Sequence, residues 1–499
     1  MFVILRGVAP EEAAAVVSGD GRDTTDERDD HMRFWGFLVL VTAAIAGADE
    51  TPNIVLIVAD DLGWSDVGYH GADLIETPSI DALATEGMQF SQAYAMPVCS
   101  PARAALLTGV HPARIPLTIW SEGSQRGPQR RRFLQAESSH DLPLEQVTLA
   151  EQLQSRGYLT VTIGKWHLGD ASHFPESQGF DINIGGTHWG APHTFFWPYR
   201  GSGRFGKEVR YVPGLPFGHE GEYLTDRLTD EAVRIIKKAR GRPFFLVLAH
   251  HAPHTPIEAK PADIDYFAKR VRPGMHHQNP TYAAMVKSLD ESVGRVRAVI
   301  REEGLENNTV FIFTSDNGGY IGIDRQSGQT VPVTSNYPLR SGKGSCYEGG
   351  VRVPFCILWP GKTQSGQICT TPVSLLDVMP TCITALGLDG EKNLDGVSLT
   401  PVLDNPTALL ERESLYFHYP HYYATTTPVS AVRHGRWKFL HYYEDDHCEL
   451  YDLENDPQEH HNCVETEMTQ VATLRKMLND WRMETNAREP TLNQQYKAR

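Results

Sequence analysis

A cysteine and an arginine stand one helical turn apart in the segment Cys99-Ser100-Pro101-Ala102-Arg103. If the chain is helical from Ala102 onward, Pro101 suits the first helical position and Cys99 faces the positive end of the helix dipole. Backbone N–H groups and the Arg103 guanidinium then surround the cysteine with positive potential, a good setting for phosphate or sulfate. On these five residues alone, a half-buried cysteine before an ordinary helix is an equally good interpretation.

Pairs of oxygen-bearing side chains follow two strongly apolar segments. Asp60 and Asp61 come directly after the run that ends at Ala59, and Asp316 and Asn317 follow the run that ends at Thr314. Such runs are typical of buried strands, and open α/β sheets bind their ligands at the carboxyl ends of their strands. Hard oxygen donors suit Ca²⁺ or Mg²⁺ better than zinc. Taken in isolation, each pair would be interpreted as a solvated turn.

Cationic and imidazole side chains follow two more apolar segments. Lys165 and His167 stand two apart after a β-branched strand, and in an extended segment they point to the same face. The lysine supplies a point charge and the histidine a proton carrier for one anionic centre. Another buried strand ends in His250-His251-Ala252-Pro253-His254, where no cysteine or acid lies at zinc-ligand spacing.

A glycine-rich block completes the pattern, because residues 339–354 contain Gly-Lys343 followed by Glu-Gly-Gly-x-Arg-x-Pro. Together with Cys-x-Pro-x-Arg, Ala-Asp-Asp-Leu-Gly and Gly-Lys-Trp-His-Leu-Gly, this block resembles the type I, formylglycine-dependent sulfatases. These proteins are arylsulfatase-like members of the alkaline phosphatase superfamily. The resemblance covers residues 52 to about 463, and its motifs stand in family order.

The resemblance implies a site and its cofactors. A maturation enzyme oxidises the cysteine to formylglycine, whose hydrate is the nucleophile. The implied catalytic residues are Cys99, Arg103, Lys165, His167, His254 and Lys343. The implied ligands of the metal, Ca²⁺ or alternatively Mg²⁺, are Asp60, Asp61, Cys99, Asp316 and Asn317. By the same resemblance, His254 or Lys343 protonates the leaving group, and His167 is the candidate base.

Two segments are candidates for substrate binding. Residues 185–205 combine aromatic side chains with glycine and proline, which favours a binding loop whose flat rings stack on sugars. A loop packed by its own aromatic residues is the alternative. The candidate substrate residues are His188, Trp189 and His193, and, on the pocket rim, His418, His421, Tyr422 and Tyr423.

The expected fold is α/β, with a large mixed β-sheet sandwiched by helices as in alkaline phosphatase, and a smaller C-terminal α+β domain with an antiparallel sheet. The segment before Asp49 starts with a positive charge, continues with an apolar run and ends in small residues. This pattern is typical of a secretory signal peptide, and the apolar run is too short to span a membrane. The expected organisation is an upstream extension (1–31), a signal peptide (32–48), a catalytic domain (50–408) and a C-terminal subdomain (409–499). The mature chain is then periplasmic or secreted, without a membrane span.

The composition limits the classes of molecule that the protein can bind. The chain has 499 residues and a net charge of −16, which argues against nucleic acid as a partner but permits a locally basic pocket for an anion. Its seven cysteines are too few for a disulfide scaffold of this size.

Three functions compete at this point. The first is a sulfatase acting on a sulfated small molecule or glycan, with a carbohydrate favoured. The second is a phosphonate or phosphate ester hydrolase of the same superfamily. The third is a non-catalytic binder of sulfated glycans in which Cys99 stays a thiol.

Overall fold

The computed structural model describes residues 51–124, 131–239, 241–325, 330–388 and 393–496. The expected extension (1–31) and signal peptide (32–48) lie outside the described residues. The strands are β1 (Asn53–Ala59), β2 (Met88–Phe90), β3 (Ala93–Tyr94), β4 (Phe133–Leu134), β5 (Leu159–Gly164), β6 (Ile182–Ile184), β7 (Phe244–Ala249), β8 (Thr309–Ser315), β9 (Ile323–Asp324), β10 (Val331–Pro332), β11 (Arg352–Val353), β12 (Phe355–Leu358), β13 (Gln367–Cys369), β14 (Val373–Ser374), β15 (Ser414–Tyr419), β16 (Val429–His434), β17 (Trp437–Tyr442), β18 (Cys448–Asp452) and β19 (Thr491–Leu492).

The helices flank these strands along the chain. They are α1 (Pro78–Glu86), α2 (Cys99–Thr108), α3 (Ser121–Ser124), α4 (Leu149–Gln154), α5 (Leu224–Lys238), α6 (Pro261–Ala268), α7 (Pro280–Glu302), α8 (Glu348–Val351), α9 (Val378–Ala385), α10 (Thr400–Asp404) and α11 (Met468–Glu484). No helix among the described residues has both the length and the apolar character that a membrane crossing requires.

An eight-stranded mixed sheet forms the centre, in the order β13-β2-β12-β8-β1-β7-β5-β6. Strands β8, β1, β7, β5 and β6 run parallel, and β12 is antiparallel to β8. Every residue of β1 is buried, which its continuous apolar run predicts for a strand covered on both faces.

Side chains of β1 alternate between two hydrophobic cores. Val55 and Ile57 belong to the core under α5 and α7, whereas Ile54 and Leu56 belong to the core under α2 and α9. Helices therefore cover both faces of the sheet, and the expected alkaline-phosphatase-like α/β fold is confirmed.

A four-stranded antiparallel sheet, β15-β16-β17-β18, follows in the C-terminal part of the chain. Leu474, Leu478 and Trp481 of α11 pack against its face through Val432 and Phe439. The expected smaller α+β unit with an antiparallel sheet is thus present. The division at residues 408 and 409 stays a prediction.

A buried ion network connects this sheet to the glycine-rich block. The Lys438 ammonium on β17 lies 2.9 Å from a carboxylate oxygen of Glu348 and 3.0 Å from one of Glu459. All three side chains are almost fully buried, and the backbone N–H of Glu348 donates to Glu459 at 2.8 Å. The network holds α8 against β17 on the C-terminal side of Lys343.

We expect Lys438→Ala to lower the free energy of unfolding by about 3–5 kcal/mol, because it leaves the buried Glu459 carboxylate without a cation among the described residues and Glu348 with Arg352, at 3.4 Å, as its remaining one. The matched control is Lys476→Ala, whose side chain is 76% exposed and paired with Asp480. This surface pair contributes at most about 1 kcal/mol. Urea denaturation of both variants measures the difference, and equal midpoint shifts would contradict the role given to Lys438.

Candidate active site

Four adjacent parallel strands deliver the polar side chains to one edge of the sheet. Asp60 follows β1, Lys165 follows β5, His254 follows β7 within a short loop, and Asp316 follows β8. Backbone hydrogen bonds continue beyond the strands, from the Asp60 N–H to Ala252 at 3.1 Å and from the Asp316 N–H to Ala59 at 3.1 Å. The strand ends therefore place residues that are up to 256 positions apart within one site.

Cys99 is the first residue of α2 and is 1% exposed. The helix begins three residues earlier than Ala102, so the expected first helical position for Pro101 is wrong and the cysteine itself occupies the amino-terminal turn. Lys343 Nζ lies 3.2 Å from Cys99 Sγ. Burial nevertheless raises the pKa of the thiol to about 11, so the unmodified cysteine is neutral and a poor nucleophile at pH 7.

Charges in the site balance in pairs. The buried pairs are Asp60 with Lys165 at 2.7 Å, Asp61 with Lys343 at 2.7 Å, and Asp316 with Arg103 at 2.9 Å. With all three carboxylates ionised, as metal binding requires, they offset the three cations, and a divalent metal ion would leave excess positive charge. An anionic sulfate ester can neutralise that excess.

The donor set fits a hard divalent cation. Asp60 Oδ1 and Asn317 Oδ1 are buried and lack a hydrogen-bond partner within the described residues. Ligand atoms of Asp60, Asp61, Cys99 and His254 lie within 4.8 Å of one another. Burial raises the pKa of Asp60 to about 8, a cost that a bound cation removes. His254 lies beside the predicted ligands at 3.6 Å from Asp61 Oδ2.

His167 reaches the site by a different backbone path from the expected one. From Gly164, the last residue of β5, the chain leaves the extended conformation, with φ of 101° at Gly164 and 63° at His167, so the expected alternation of Lys165 and His167 on one extended face is wrong. Lys165 lies beneath the pocket on Asp60, whereas the His167 ring lines the pocket. Neither ring nitrogen has a hydrogen-bond partner among the described residues, and burial lowers the His167 pKa to about 4.

Gly190 permits this placement of the His167 ring. A Cβ at position 190 would stand 2.3 Å from His167 Cε1 and 2.6 Å from Nε2. We expect Gly190→Ala to displace the ring, cost about 1–3 kcal/mol of stability through overpacking, and lower kcat/KM at least about tenfold. Steady-state kinetics and thermal melting measure the two effects. A variant with unchanged kcat/KM would show that the ring position does not matter.

A pocket of about 450 Å³ opens over Cys99. The predicted residues that line it are Asp61, Cys99, His167, His254 and Lys343. Tyr423, expected on the rim, also lines it. Arg204 and Phe205 also line it and lie in the predicted binding segment 185–205, although neither is among its candidate residues. Trp120, Glu122 and Arg210 are lining residues that the sequence reasoning missed, and none of these three belongs to a motif, so only their position in the fold identifies them.

The assignment of His418 and His421 to the pocket rim is wrong. Ser430 and the carbonyl of Arg488 occupy both ring nitrogens of His418, at 2.7 and 2.9 Å. His421 is fully buried, with Nε2 2.8 Å from Thr118 Oγ1. His418 lies on the face of β15 that packs against α11, so it supports the C-terminal sheet.

The aromatic loop does line the pocket, but through residues other than the expected ones. Its contributions include Gly190 and Ala191, whereas His188, Trp189 and His193 are not among the lining residues. Other aromatic residues of the loop lie in the core, where Phe195 stacks on Tyr223 and Tyr199 donates to Glu222. Trp197 and Tyr199 of the same loop meet edge to face, with ring centroids 5.6 Å apart, so the alternative of a loop packed by its own aromatic residues is partly correct.

Comparison with known proteins agrees with this geometry. Residues 52–388 match the family model described as Sulfatase, and residues 342–485 match that described as N-sulphoglucosamine sulphohydrolase, C-terminal. The chain is 34% identical to N-acetylgalactosamine-6-sulfatase of Sus scrofa, over 77% of this chain and 72% of the relative. It is 34% identical to arylsulfatase A of Homo sapiens, over 86% of each chain.

Solved structures give the same result. The crystal structure of Ps i-CgsB in complex with k-i-k-neocarrahexaose matches with a TM-score of 0.71 and 32% identity, over 87% of this chain and 93% of the other. The phosphonate monoester hydrolase of Agrobacterium radiobacter shares the fold with a TM-score of 0.62 at 18% identity, over 87% and 96%.

Proposed function

The chain belongs to the sulfatase family, and from this premise we propose that it removes sulfate from a sulfated carbohydrate by means of formylglycine at position 99 and a divalent metal ion. The observation that carries the proposal is the position of Cys99. It begins a buried helix, at the base of a pocket, beside Lys343 and a cluster of metal-binding oxygens. Sulfate ester hydrolysis follows from the family; the cofactors, the carbohydrate and the residue roles are our proposal.

The carbohydrate is supported by the relatives and neighbours. One relative is named for N-acetylgalactosamine 6-sulfate, and one similar structure holds a neocarrahexaose. The pocket adds charged and aromatic side chains around the anion site, a combination that suits sugars.

Asp60, Asp61, Asp316, Asn317 and the residue at position 99 would hold the metal, Ca²⁺ or Mg²⁺. When bound, the ion polarises the sulfate oxygens and lowers the pKa of a hydroxyl group that it holds. The hydrate of formylglycine carries two hydroxyl groups on one carbon. One is needed for the attack on sulfur, and the other is needed for the later release of sulfate. The unmodified thiol offers only one nucleophilic atom.

The remaining residues hold charge and protons. Arg103, Lys165 and Lys343 supply positive charge for the sulfuryl oxygens. Asp61 raises the pKa of Lys343, which keeps its proton despite burial. His254 donates from Nδ1 to the Thr255 carbonyl at 2.7 Å, and burial lowers its pKa to about 3, so Nε2 carries no proton at pH 7 in the free site. Of the two candidates for protonation of the leaving group, His254 and Lys343, we therefore assign the step to Lys343, which holds its proton; His254 can perform it only as an imidazolium stabilised by Asp61 and the bound ester. His167, neutral at pH 7 with unpartnered nitrogens, is the proposed base.

We also propose that the chain is exported to the periplasm or secreted after cleavage of residues 32–48, and that a formylglycine-generating enzyme is its maturation partner. Mass spectrometry of the chymotryptic peptide that begins after Tyr94 tests the modification. A lighter, carbonyl-reactive residue at position 99 supports the proposal. A thiol in protein from the native source contradicts it and favours the non-catalytic binder.

Substrate class is tested with the matured protein. We expect sulfate release from N-acetylgalactosamine 6-sulfate and carrageenan oligosaccharides, and slower release from 4-nitrophenyl sulfate. Preferential hydrolysis of 4-nitrophenyl phosphate or a phosphonate ester would favour the second function, for which the shared fold of the phosphonate monoester hydrolase is the supporting observation.

A further inference from the structure

A charge pair outside the anion site forms part of the pocket wall. Arg210 Nη2 donates to Glu122 Oε1 at 3.0 Å, and both side chains line the pocket. The Arg210 guanidinium lies over the Phe205 ring at 4.6 Å. Backbone hydrogen bonds between Arg210 and Gly201, at 2.9 and 3.0 Å, fix the arginine from the other side. Arg210 therefore holds Glu122 in one orientation.

The second carboxylate oxygen of Glu122 takes no part in the pair with Arg210. Glu122 Oε2 is buried and has no hydrogen-bond partner among the described residues. His167 Nε2 lies 3.9 Å from Glu122 Oε2, which is too far for a hydrogen bond. A buried acceptor without a donor is unfavourable, so this oxygen favours any ligand that brings a donor.

Glu122 selects the kind of ligand group that can approach. Burial opposes its ionisation, but His167, which is protonated in the acidic range where Glu122 titrates, and Arg210 outweigh burial and hold the Glu122 pKa at about 2, so Glu122 is a carboxylate at pH 7. A carboxylate only accepts hydrogen bonds and repels a second sulfate or carboxylate. The group that fits here carries an O–H or N–H and no negative charge.

Aromatic side chains complete the same pocket. Trp120 and Tyr423 meet edge to face, with ring centroids 5.8 Å apart, and both line the pocket. Such rings offer an apolar surface for the C–H groups of a sugar. A sugar ring has polar edges and apolar faces. The Glu122 carboxylate can accept a hydrogen bond from such an edge, and the aromatic side chains can pack against such a face.

We propose that Glu122, held by Arg210, accepts a hydrogen bond from a hydroxyl or amide N–H of the sugar ring that bears the sulfate. Glu122 is then a specificity-determining residue, which makes the pocket prefer sugar sulfates to aryl sulfates. The inference rests on the proposed function, because the ring must sit above the sulfate site. An aryl sulfate has no donor for Glu122 and leaves Oε2 buried and unpaired.

The test compares N-acetylgalactosamine 6-sulfate with 4-nitrophenyl sulfate on the matured, metal-loaded protein. We expect Glu122→Gln to lower the ratio of the two kcat/KM values, sugar sulfate over aryl sulfate, by at least about tenfold, as loss of a hydrogen bond to a charged acceptor predicts. The matched control, Glu145→Gln, changes an exposed carboxylate outside the pocket lining and keeps the wild-type ratio.

Binding gives a second readout that does not need turnover. In the Cys99→Ala background, we expect Glu122→Gln to weaken binding of N-acetylgalactosamine 6-sulfate, measured by calorimetry, by a similar factor. Equal losses on both substrates would overturn the inference, because Glu122 would then act through His167. An unchanged ratio and unchanged affinity would overturn it as well. Failure of the wild-type protein to release sulfate from either substrate, with formylglycine present, would instead contradict the proposed function.

Discussion

Replacing Cys99 with alanine is expected to lower kcat/KM for sulfate esters by at least about 10⁴-fold, as removal of a nucleophile does. The side chain is 1% exposed and small, so the loss of its sulfur leaves the fold intact and costs about 1–2 kcal/mol of stability at most. The activity loss has a chemical cause: without a side-chain carbonyl there is no hydrate to attack sulfur. Steady-state kinetics and thermal melting measure the two quantities.

Cys382→Ala is the matched control, because this second buried thiol lies on α9 within the hydrophobic core, outside the pocket lining. We expect it to leave kcat/KM within about twofold of the wild type while costing a similar amount of stability. A Cys99→Ala variant that keeps a tenth of wild-type activity would show that position 99 is not the nucleophile.

Removal of the metal is expected to produce the second large effect. Chelation with EDTA lowers kcat/KM at least about 100-fold, because the ion supplies several kcal/mol of charge stabilisation, and Ca²⁺ or Mg²⁺ restores it. Asp60→Asn removes one proposed ligand and leaves Lys165, 2.7 Å away, without its carboxylate. We therefore expect that added cation raises the melting temperature of the wild type but not of Asp60→Asn. Asp265→Asn, an exposed carboxylate on α6, is the control.

The metal affinity should also depend on pH. The metal-free Asp60 has its pKa raised to about 8 by burial, and the cation binds the ionised form. Raising the pH from 6 toward 8 should therefore tighten binding, approaching tenfold per unit, and binding should release a proton. Calorimetric titration in buffers of different ionisation enthalpy measures that proton. A pH-independent affinity would show that Asp60 is already ionised or does not bind the ion.

Much of the site could be predicted because its chemistry is local in the sequence. Asp60-Asp61, Asp316-Asn317 and Lys165 each follow an apolar strand, and parallel strands bring their carboxyl ends to one edge. The α/β class follows from the same runs, since a strand buried on both faces needs helices above and below. In these cases the residue types and their place at a strand end are enough to predict that the side chains lie in one site.

The tertiary structure decided which residues surround the charged groups at the strand ends. In the sequence, His418 and His421 look like residues of a pocket rim. In the structure, His418 contacts α11, His421 contacts Thr118, and both side chains are buried. Glu122 and Arg210 carry no signal in the sequence, because they lie 88 positions apart and their pairing depends on how two loops fold over the strand ends. Their proposed role rests on a hydrogen bond of 3.0 Å and on one buried oxygen without a partner among the described residues.

The sequence by itself therefore determined the class of fold, the proposed nucleophile position and the charged groups that follow the strands. These depend on hydrophobic runs and on short motifs, which a chain carries within a few neighbouring residues. Only the tertiary structure decided the backbone path of His167, the pocket lining and the residues that meet the rest of the substrate. Those features depend on which distant loops pack together, and packing is a property of the whole folded chain.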